Sequence, residues 1–308
     1  MDLSIIVVNW NTRDMTCACL ASVMAGLGDL AAELIVIDNA SDDGSADAIA
    51  AAFPAAILIR NAENRGFAAA NNQGFAIARG RHVLLLNSDT LVHGTVLADS
   101  VAWLDAQPEA GAMGCRVLNT DGTVQLTCSM YPSVLNQLLQ ATGLWKLRRP
   151  RFFGRYLMTG WARDSTREVE VISGCYLLVR RRVIETVGGL DEAFFFFGEE
   201  TDWCRRIRAA GWRLVFAPVG EITHHGSVSA RKLDHRRDVL LTQAKVRLHR
   251  KHGGPGAAAA VWAIAAGFNA SRALWWSLRG MGGNARARDR GRHFRLVTRD
   301  LRQAWVGR

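Results

Sequence analysis

Short apolar runs alternate with longer, mixed segments through the first third of the chain. The runs lie at residues 3–8, 33–37, 56–59 and 82–86, and each is made up almost wholly of apolar side chains. Runs of this length predict buried strands, whereas the segments between them are long enough for helices. Strands that alternate with helices predict an α/β fold with a doubly wound, mostly parallel sheet flanked by helices.

The mixed segments begin with residues that commonly start helices. Asn11 or Thr12 is predicted to cap a helix that continues to about Gly26, and further helices are predicted to end near Phe53 and Arg79. Polar clusters therefore fall at the carboxyl ends of the strands. Because ligands of open α/β sheets bind outside those ends, we expect a binding crevice along that edge.

The fourth apolar run stops abruptly at Asn87, Ser88 and Asp89. The strand is predicted to deliver the Asp89 carboxylate into the crevice, where it could hold a metal ion bound to a diphosphate. The same residues also fit a strand followed by a turn that caps the next helix, and caps of this composition are common. This stretch alone leaves both interpretations open.

The middle of the chain is less regular. A strand at 110–117 and a hairpin turn at 119–123 are followed by a strand at 169–179 that is interrupted at Ser173-Gly174. Between about residues 129 and 165, proline, arginine and aromatic residues replace the regular pattern. That composition predicts either a mobile segment that faces an acceptor or a variable surface excursion.

Three acidic residues, Glu199, Glu200 and Asp202, open a predicted helix that ends at Gly211. Acidic side chains in a first helical turn are stabilised by the helix dipole, so stabilisation of the helix start is one explanation. The four phenylalanines at 194–197 favour a second explanation. Apolar surroundings raise a carboxyl pKa and a helix start lowers it, and the balance leaves a competent general base.

Two histidines, His224 and His225, follow a later predicted strand. A pair in that position fits an ordinary turn at the end of a strand. It also fits a metal site, because neutral imidazole is a common metal ligand.

Composition places the chain's positive charge in one region. Residues 1–225 contain 20 basic and 24 acidic side chains, whereas residues 226–308 contain 18 basic and 4 acidic ones, out of a net charge of +10. The length of 308 residues predicts one large domain or one domain with an appendage. Six scattered cysteines without a CxxC pair favour a reducing cytosol, and the apolar start of the chain predicts a strand instead of a signal peptide.

The basic tail has several possible roles. Helical periodicity is predicted at 233–252, and the apolar part of the following Ala/Trp-rich run, residues 257–268, is too short to cross a hydrocarbon layer of roughly 30 Å. Trp262, Trp275 and Trp276 beside clustered arginines favour an interfacial helix on an anionic membrane. A helix packed on the domain or a dimer contact fits the same pattern. Nucleic acid is not an expected partner, because no recognition motif is present.

An ordered set of six motifs spans about residues 3–253. The motifs are VVNWN at 7–11, VIDNAS at 36–41, NRGF at 64–67, NSD at 87–89, EETD at 199–202 and HHG at 224–226. In kind, order and spacing this set resembles the family 2 inverting glycosyltransferases, in particular their bacterial rhamnosyltransferase-like branch. The resemblance implies a GT-A fold and transfer of a sugar from a nucleoside diphosphate donor with inversion at the anomeric carbon.

The resemblance also implies the residues that bind the donor. Asp38 resembles the carboxylate that holds the nucleoside, with Asn9 beside it, and Arg65, Gly66 and Asn71 resemble part of the wall around the base and the diphosphate. The implied donor-binding residues are Asn9, Asp38, Asn39, Arg65, Gly66, Asn71, Asn87, Ser88 and Asp89.

For catalysis, the resemblance makes Asp89 and His224 ligands of a divalent metal ion. Glu200 takes the position of the catalytic base, and Glu199 and Asp202 would orient it or the acceptor. A metal ion would neutralise the charge that develops on the leaving diphosphate, and Mg²⁺ and Mn²⁺ are both expected to serve. The chain departs from the family pattern at Asn87, which replaces the first acid of the DxD motif, and at Glu200, which replaces the commoner aspartate.

The resulting hypothesis is a catalytic GT-A domain at 1–230 and a basic helical C-terminal region at 231–308. The enzyme would move a sugar, with a rhamnose-like one favoured, onto a glycan or polyprenyl-linked glycan that serves a cell-envelope polysaccharide. It would be cytoplasmic and peripheral at the inner face of the plasma membrane.

Two other functions remain as alternatives. A sugar-phosphate nucleotidyltransferase would be expected to carry a Gly-rich, basic loop after the first strand, and residues 9–12 are not such a loop. A scaffold that binds a nucleotide sugar without catalysis is the second alternative.

Overall fold

The structure, a computed structural model, describes residues 1–147, 151–226 and 233–305, and these form two compact units. The first unit contains the described residues of Met1–Tyr131, Leu157–Phe195 and Glu199–Ser229. The second contains those of Pro132–Tyr156, Phe196–Gly198 and Ala230–Arg308. The predicted boundary at 230/231 stays a prediction, but residues 132–156 group with the tail, which the charge pattern did not indicate.

Strands and helices alternate through the first half of the chain as predicted. In order they are β1 (Leu3–Asn9), α1 (Arg13–Gly26), β2 (Ala32–Asp38), α2 (Ser45–Ala52), β3 (Ile57–Arg60), α3 (Gly66–Ile77), β4 (His82–Asn87), β5 (Thr90–Val92), α4 (Val96–Asp105), β6 (Ala110–Leu118) and β7 (Cys128–Ser129).

The second half contains short strands and then long helices. In order they are α5 (Val134–Thr142), β8 (Arg167–Glu168), β9 (Val171–Ile172), β10 (Tyr176–Arg180), α6 (Arg181–Val187), α7 (Glu199–Ala209), β11 (Arg213–His224), α8 (His235–Gly280) and α9 (Ala285–Asp300).

The central sheet has the strand order β3-β2-β1-β4-β10-β6-β11-β5, with β8 paired to β11. Strands β1 to β4 are parallel, and β11 is parallel to β6, whereas β10 runs antiparallel between β4 and β6. The mostly parallel α/β sheet is therefore confirmed. The predicted strand at 169–179 is divided at Ser173-Gly174, and its first part, β9, pairs with β7 in a small separate sheet.

Both faces of the central sheet are buried, which explains why its strands are almost wholly apolar. Ile5 and Val7 of β1 pack on one face with Leu97 of α4. The intervening Ile6 lies on the opposite face with Ala70 of α3. This alternation along one strand is what allows helices to cover the sheet from two sides.

Two local predictions differ from the structure. Thr12 stands at the start of α1, but its hydroxyl donates to the Asn9 side chain and makes no capping hydrogen bond to the helix. The irregular region near residue 140 contains helix α5, which Ser133 caps at its start and Gly143 ends with a φ of 77°. Residues 148–150 of that region lie outside the described residues, so its predicted role toward an acceptor stays a prediction.

The second unit is helical, as predicted for the tail. Helix α8 is kinked at Gly254, whose φ of 80° lies outside the helical range, and Pro255 follows directly. Helix α9 packs against α8, and Val239, Val297 and Leu301 form part of a small apolar core. In the described part of the chain, no helix is both long enough and apolar enough to span a bilayer.

Candidate active site

The polar residues that end the parallel strands are gathered at one edge of the sheet, as predicted. The register pairs Asn9 of β1 with Asp38 of β2, and Val8 of β1 with Asn87 of β4. Because the strands are parallel and in phase, their following loops leave from the same place. Residues separated by dozens of positions in the sequence thus line one edge.

A buried network fixes the first two of these loops. The Asn9 amide nitrogen donates to Asp38 Oδ1 at 2.7 Å and to Ser41 Oγ at 2.9 Å, and its oxygen accepts from the Thr12 and Thr16 hydroxyls at 2.8 and 2.7 Å. Both N–H donors and both oxygen lone pairs of this fully buried amide are therefore used. The network holds Asp38 at the sheet edge in a defined position.

Asn39 fixes the loop before α3 in the same way. Its oxygen accepts from the Arg65 backbone N–H at 3.0 Å, and its nitrogen donates to Asn64 Oδ1 at 2.8 Å. The Arg65 side chain is exposed and forms no hydrogen bond or ion pair within the described residues. Its guanidinium is therefore available to an anionic ligand.

Gly66 allows this loop to approach a second one closely. Its φ is +80°, and a Cβ atom there would lie 2.4 Å from the carbonyl oxygen of Phe195. The Phe67 N–H donates to that same oxygen at 3.0 Å. The loop that begins α3 is thus joined to the segment that precedes the acidic helix α7.

Two predicted donor-binding side chains are engaged inside the protein. The buried Asn71 amide donates to the Phe67 carbonyl at 2.8 Å, and the buried Ser88 hydroxyl lies 3.1 Å from the Thr12 hydroxyl. The Asn71 contact lies within helix α3, and the Ser88 contact joins the segments that follow β4 and β1. A direct role of Asn71 or Ser88 in binding the donor stays a prediction.

Asp89 and His224 are brought together although 135 positions separate them. Strand β5 pairs antiparallel with β11, with Thr90 opposite His224, so Asp89 lies beside the end of β11. The distance from Asp89 Oδ1 to His224 Nε2 is 3.2 Å, and both side chains are largely buried. The His225 N–H donates to the Asp89 carbonyl at 2.9 Å and tightens this junction.

Gln125, which the sequence did not indicate, orients the imidazole ring of His224. Its amide nitrogen donates to Asn119 Oδ1 at 2.8 Å, which leaves its oxygen to accept from His224 Nδ1 at 2.7 Å. A neutral imidazole with its proton on Nδ1 presents a lone pair on Nε2. His224 Nε2 faces Asp89 and the Asn87 amide nitrogen, which is 3.2 Å away.

A lone pair and a carboxylate oxygen at this distance repel each other unless a proton or cation lies between them. Two ligands bound at right angles about 2.1 Å from an octahedral ion are about 3 Å apart, close to the observed separation of Asp89 and His224. These two side chains therefore fit a divalent cation. Among the described residues, here or elsewhere, no group of three or more His, Cys, Asp or Glu side chains could hold a metal ion.

The three acids of α7 have different environments. Glu199 is buried, and burial, together with the neighbouring charge of Glu200, raises the pKa of Glu199 well above its ordinary value. Asp202 is fully buried and forms an ion pair with Arg206 at 2.8 Å. Glu200 is only half-buried. Burial thus falls most strongly on Glu199, and Glu200 is the less buried of the two glutamates, although its Oε2 is enclosed.

The buried thiol of Cys175 lies within electrostatic range of both Glu200 and Asp89. Burial is the main reason that the pKa of this thiol is raised to about 12, and the charges of Asp89 and Glu200 both add to the shift. The two carboxylates are therefore within electrostatic reach of one side chain. That Glu200 lines the same pocket as Asp89 and His224 stays a prediction.

Comparisons with known proteins identify relatives of the chain. The profile of the family described as "Glycosyltransferase like family 2" matches residues 2–247. The chain is 30% identical over 210 residues to an N-acetylglucosaminyl-diphospho-decaprenol L-rhamnosyltransferase of Mycobacterium tuberculosis; this match covers 62% of the chain and 66%, just under two thirds, of that protein. It is 24% identical over 249 residues to the low-salt glycan biosynthesis hexosyltransferase Agl10 of Haloferax volcanii, covering 78% of the chain and 72% of that protein.

Solved structures share the fold. The mannosyltransferase PcManGT from Pyrobaculum calidifontis, in complex with GDP-Man and Mn²⁺, superimposes with a TM-score of 0.57 at 19% identity and covers 97% of this chain and 86% of its own. Residues 1–349 of S. aureus TarS superimpose with a TM-score of 0.53 at 14% identity, covering 100% and 93%. These similarities agree with the GT-A type of fold that the sequence motifs imply.

Proposed function

The chain belongs to glycosyltransferase family 2, and from that membership we propose that it transfers a sugar from a nucleoside diphosphate donor to a hydroxyl group of a glycan acceptor, with inversion. The observation that carries the proposal is the pair formed by Asp89 and His224 at the sheet edge. Two residues remote in the sequence lie there at a separation that fits two ligands of one divalent cation, which supports the proposal.

Donor binding is assigned to the loops at the strand ends. Asp38 would hold the nucleoside from the position in which Asn9 fixes it, and Asn39 would fix the loop that carries Arg65. The exposed Arg65 guanidinium would pair with the diphosphate, since arginine forms strong charge-assisted hydrogen bonds to phosphate oxygens. Asp89 and His224 would hold a divalent ion, which neutralises the negative charge on the departing nucleoside diphosphate. Mn²⁺ is the first ion to test, because PcManGT was solved with GDP-Man and Mn²⁺.

Glu200 is assigned as the general base. Glu199 and Glu200 are neighbours, and burial raises the pKa of Glu199, which favours keeping a proton there. Glu200, the less buried of the two, is therefore the one assigned to accept the acceptor's proton. A carboxylate that faces the acceptor can take the hydroxyl proton while the oxygen attacks the anomeric carbon. Attack from the side opposite the diphosphate inverts that carbon in one displacement.

The proposed acceptor is a glycan linked to a polyprenyl diphosphate, and the favoured sugar is rhamnose-like. The name of the Mycobacterium tuberculosis relative specifies rhamnose transfer to a decaprenol-linked N-acetylglucosamine, which supports both choices. An acceptor of this kind is anchored in a membrane. The proposed site of action is therefore the inner face of the plasma membrane.

The test is donor turnover by the full chain with Mn²⁺ or Mg²⁺ and a panel of dTDP-, UDP- and GDP-sugars. One donor is expected to raise the melting temperature and to release its nucleoside diphosphate when acceptor is added. Glu200→Gln should retain donor binding and lower turnover by about 10²- to 10⁴-fold, because it removes the base without removing the donor site. Glu185→Gln, at an exposed position on α6, is the matched control and should behave as wild type.

Other outcomes would favour the alternatives. Release of pyrophosphate from a nucleoside triphosphate and a sugar phosphate would identify a nucleotidyltransferase. Donor binding without turnover in the wild type, unchanged by Glu200→Gln, would identify a scaffold. Full turnover by Glu200→Gln would remove that residue from the mechanism.

A further inference from the structure

Four large apolar side chains are exposed together at the end of α8. The exposed fraction is 63% for Leu274, 51% for Trp275, 57% for Leu278 and 82% for Met281. Their spacing places them along one side of the helix. We define these four residues as the α8 stripe. Large apolar groups that are exposed as a continuous set usually mark an interaction surface.

The α8 stripe is not the side by which α8 packs against α9. That contact uses small residues: a Cβ atom on Gly280 would lie 3.0 Å from Arg288 Cγ, and one on Gly291 would lie 3.2 Å from the Ser277 backbone nitrogen. Helix α9 therefore covers the other side of α8. The stripe is left for a partner outside the second unit's own core.

The structure separates the three tryptophans that the sequence grouped together. Trp262 packs edge to face with Trp305, and its ring nitrogen donates to the Leu301 carbonyl at 3.2 Å. Trp276 is half-buried, with the Arg290 guanidinium 4.9 Å from its ring centre. Only Trp275 belongs to the exposed stripe; Trp262 is partly buried and packs against the small apolar core of the unit, and its predicted contact with a membrane stays a prediction.

The stripe lies in a strongly cationic segment. Residues 270–305 contain nine arginines and two aspartates, with no lysine and no glutamate. The Arg279 guanidinium lies 5.2 Å from the Trp275 ring centre, directly beside the stripe. One of the two aspartates, Asp300, is already paired with Arg299. The apolar stripe thus has a positively charged border.

We propose that the α8 stripe docks on the surface of an anionic lipid bilayer. Leucine, methionine and tryptophan side chains favour the boundary between headgroups and acyl chains, and arginines at the border can pair with lipid phosphates. A second copy docked through the same stripe would bring two cationic borders together, which opposes association. The charge of the border therefore favours an anionic membrane over self-association.

The experiment is sedimentation of the full chain with vesicles of phosphatidylcholine alone or with about one third phosphatidylglycerol. Wild type is expected to bind the anionic vesicles, and more weakly as salt is raised. Leu278→Glu should weaken that binding at least about tenfold, because it inserts a negative charge into the stripe. Leu138→Glu is the matched control: Leu138 is a similarly exposed leucine (43%) on α5 of the same unit, and its substitution should leave binding unchanged.

Three results would overturn the proposal. The first is wild type that does not sediment with anionic vesicles, and the second is Leu278→Glu that binds them as well as wild type. The third is a dimer in solution that Leu278→Glu dissociates while vesicle binding is absent, which would assign the stripe to a second copy of the chain.

Circular dichroism checks that both variants remain folded, and Met281→Glu provides a second substitution in the stripe at a more exposed position. The inference locates the membrane contact implied by the proposed acceptor, but its test involves no sugar transfer, so its failure would leave the transferase proposal standing.

Discussion

At the scale of single residues, Gln125 has the most specific consequence for the metal site. Its oxygen accepts from His224 Nδ1, and this interaction directs Nε2 toward Asp89. Partners of this kind orient a metal-binding histidine, and their loss commonly costs about 10- to 100-fold in metal affinity. Gln125 therefore acts on the ion through the histidine.

We predict that Gln125→Ala weakens Mn²⁺ binding by about 10-fold or more, whereas Gln125→Glu retains it because a carboxylate also accepts from Nδ1. Isothermal titration with Mn²⁺ alone gives the affinity, and ¹⁵N NMR of the imidazole gives the tautomer. A Gln125→Ala variant that binds Mn²⁺ like wild type, with the Nδ1 proton in place, would show that the contact does not position His224.

Glu199 makes the stability of the fold depend on pH. Because the pKa of Glu199 is raised in the folded protein, Glu199 loses its proton at a lower pH in the unfolded chain. The free energy of unfolding therefore falls as the pH rises from the ordinary pKa of 4.5 to the raised pKa of the folded protein. Below 4.5 both states hold the proton, and this loss is absent.

Glu199→Gln removes this ionisation. We therefore expect the melting temperature of the variant minus that of wild type to be at least about 2 °C higher at pH 8 than at pH 4. Differential scanning calorimetry at the two pH values measures the difference. Glu63→Gln, at an exposed position, is the control and should show no such trend. An equal change at both pH values would mean that Glu199 is ionised in the folded protein.

Sequence patterns predicted some site residues better than others, for a physical reason. Asp38, Asp89 and His224 follow apolar strands, so their place at a sheet edge could be predicted. Gln125 follows a turn and reaches His224 across 99 positions, and no local pattern encodes such a contact. Which strand-end side chain faces a ligand is also nonlocal, because Ser88 is turned toward Thr12 by a loop from another strand.

At the scale of strands, helices and loops, Gly66 determines whether the α3 loop can lie against Phe195. Any larger residue would meet two separate costs there, a positive φ and a clash with a backbone carbonyl. Gly143, at the end of α5, has a similar φ of +77° but open space around it. The two positions therefore separate the cost of the clash from the cost of the backbone conformation.

We predict that Gly143→Ala lowers the free energy of unfolding by about 1–2 kcal/mol, the cost of the left-handed conformation. Gly66→Ala should cost clearly more, about 3 kcal/mol or above, and should also weaken donor binding because the Arg65 loop must shift. Urea unfolding and donor titration measure the two effects. Equal losses of stability at both positions would mean that the loops separate at little cost.

Local sequence patterns predicted where most strands and helices lie, but they did not predict how the strands pair. The short strand β5 was not predicted, although its pairing with β11 is what brings Asp89 beside His224. Three residues are too few to show a period, and the partner strand is far away in the sequence. The antiparallel placement of β10 between β4 and β6 is nonlocal for the same reason.

At the scale of the whole molecule, the apolar pattern predicted the α/β unit, and the charge distribution predicted a distinct basic region. Neither indicated that residues 132–156 belong with that region. This assignment depends on apolar contacts such as that of Val134 with Val246 and Val261, which are distant in sequence.

The placement of the six cysteines gives a test of the fold as a whole. All six are free thiols, five are buried and Cys17 is partly exposed. Burial raises the pKa of the Cys19 thiol to about 11 and that of Cys204 to about 12, so both are protonated and unreactive near neutral pH.

We predict that a thiol reagent at pH 8 modifies Cys17 at least about 100-fold faster than the other five cysteines, and modifies all six in urea. Mass spectrometry of the labelled protein counts them, and rapid labelling of several thiols in the native state would contradict the packing described above.

The shared carbonyl of Phe195 has a kinetic consequence. The α3 loop and the segment leading to Glu200 are joined through this oxygen, so a donor that immobilises the Arg65 loop also restrains the segment that leads to the base. An acceptor that arrives afterwards meets a prearranged proton acceptor, whereas one that arrives first does not. We therefore expect a compulsory order of addition, with the nucleotide sugar first and the acceptor second.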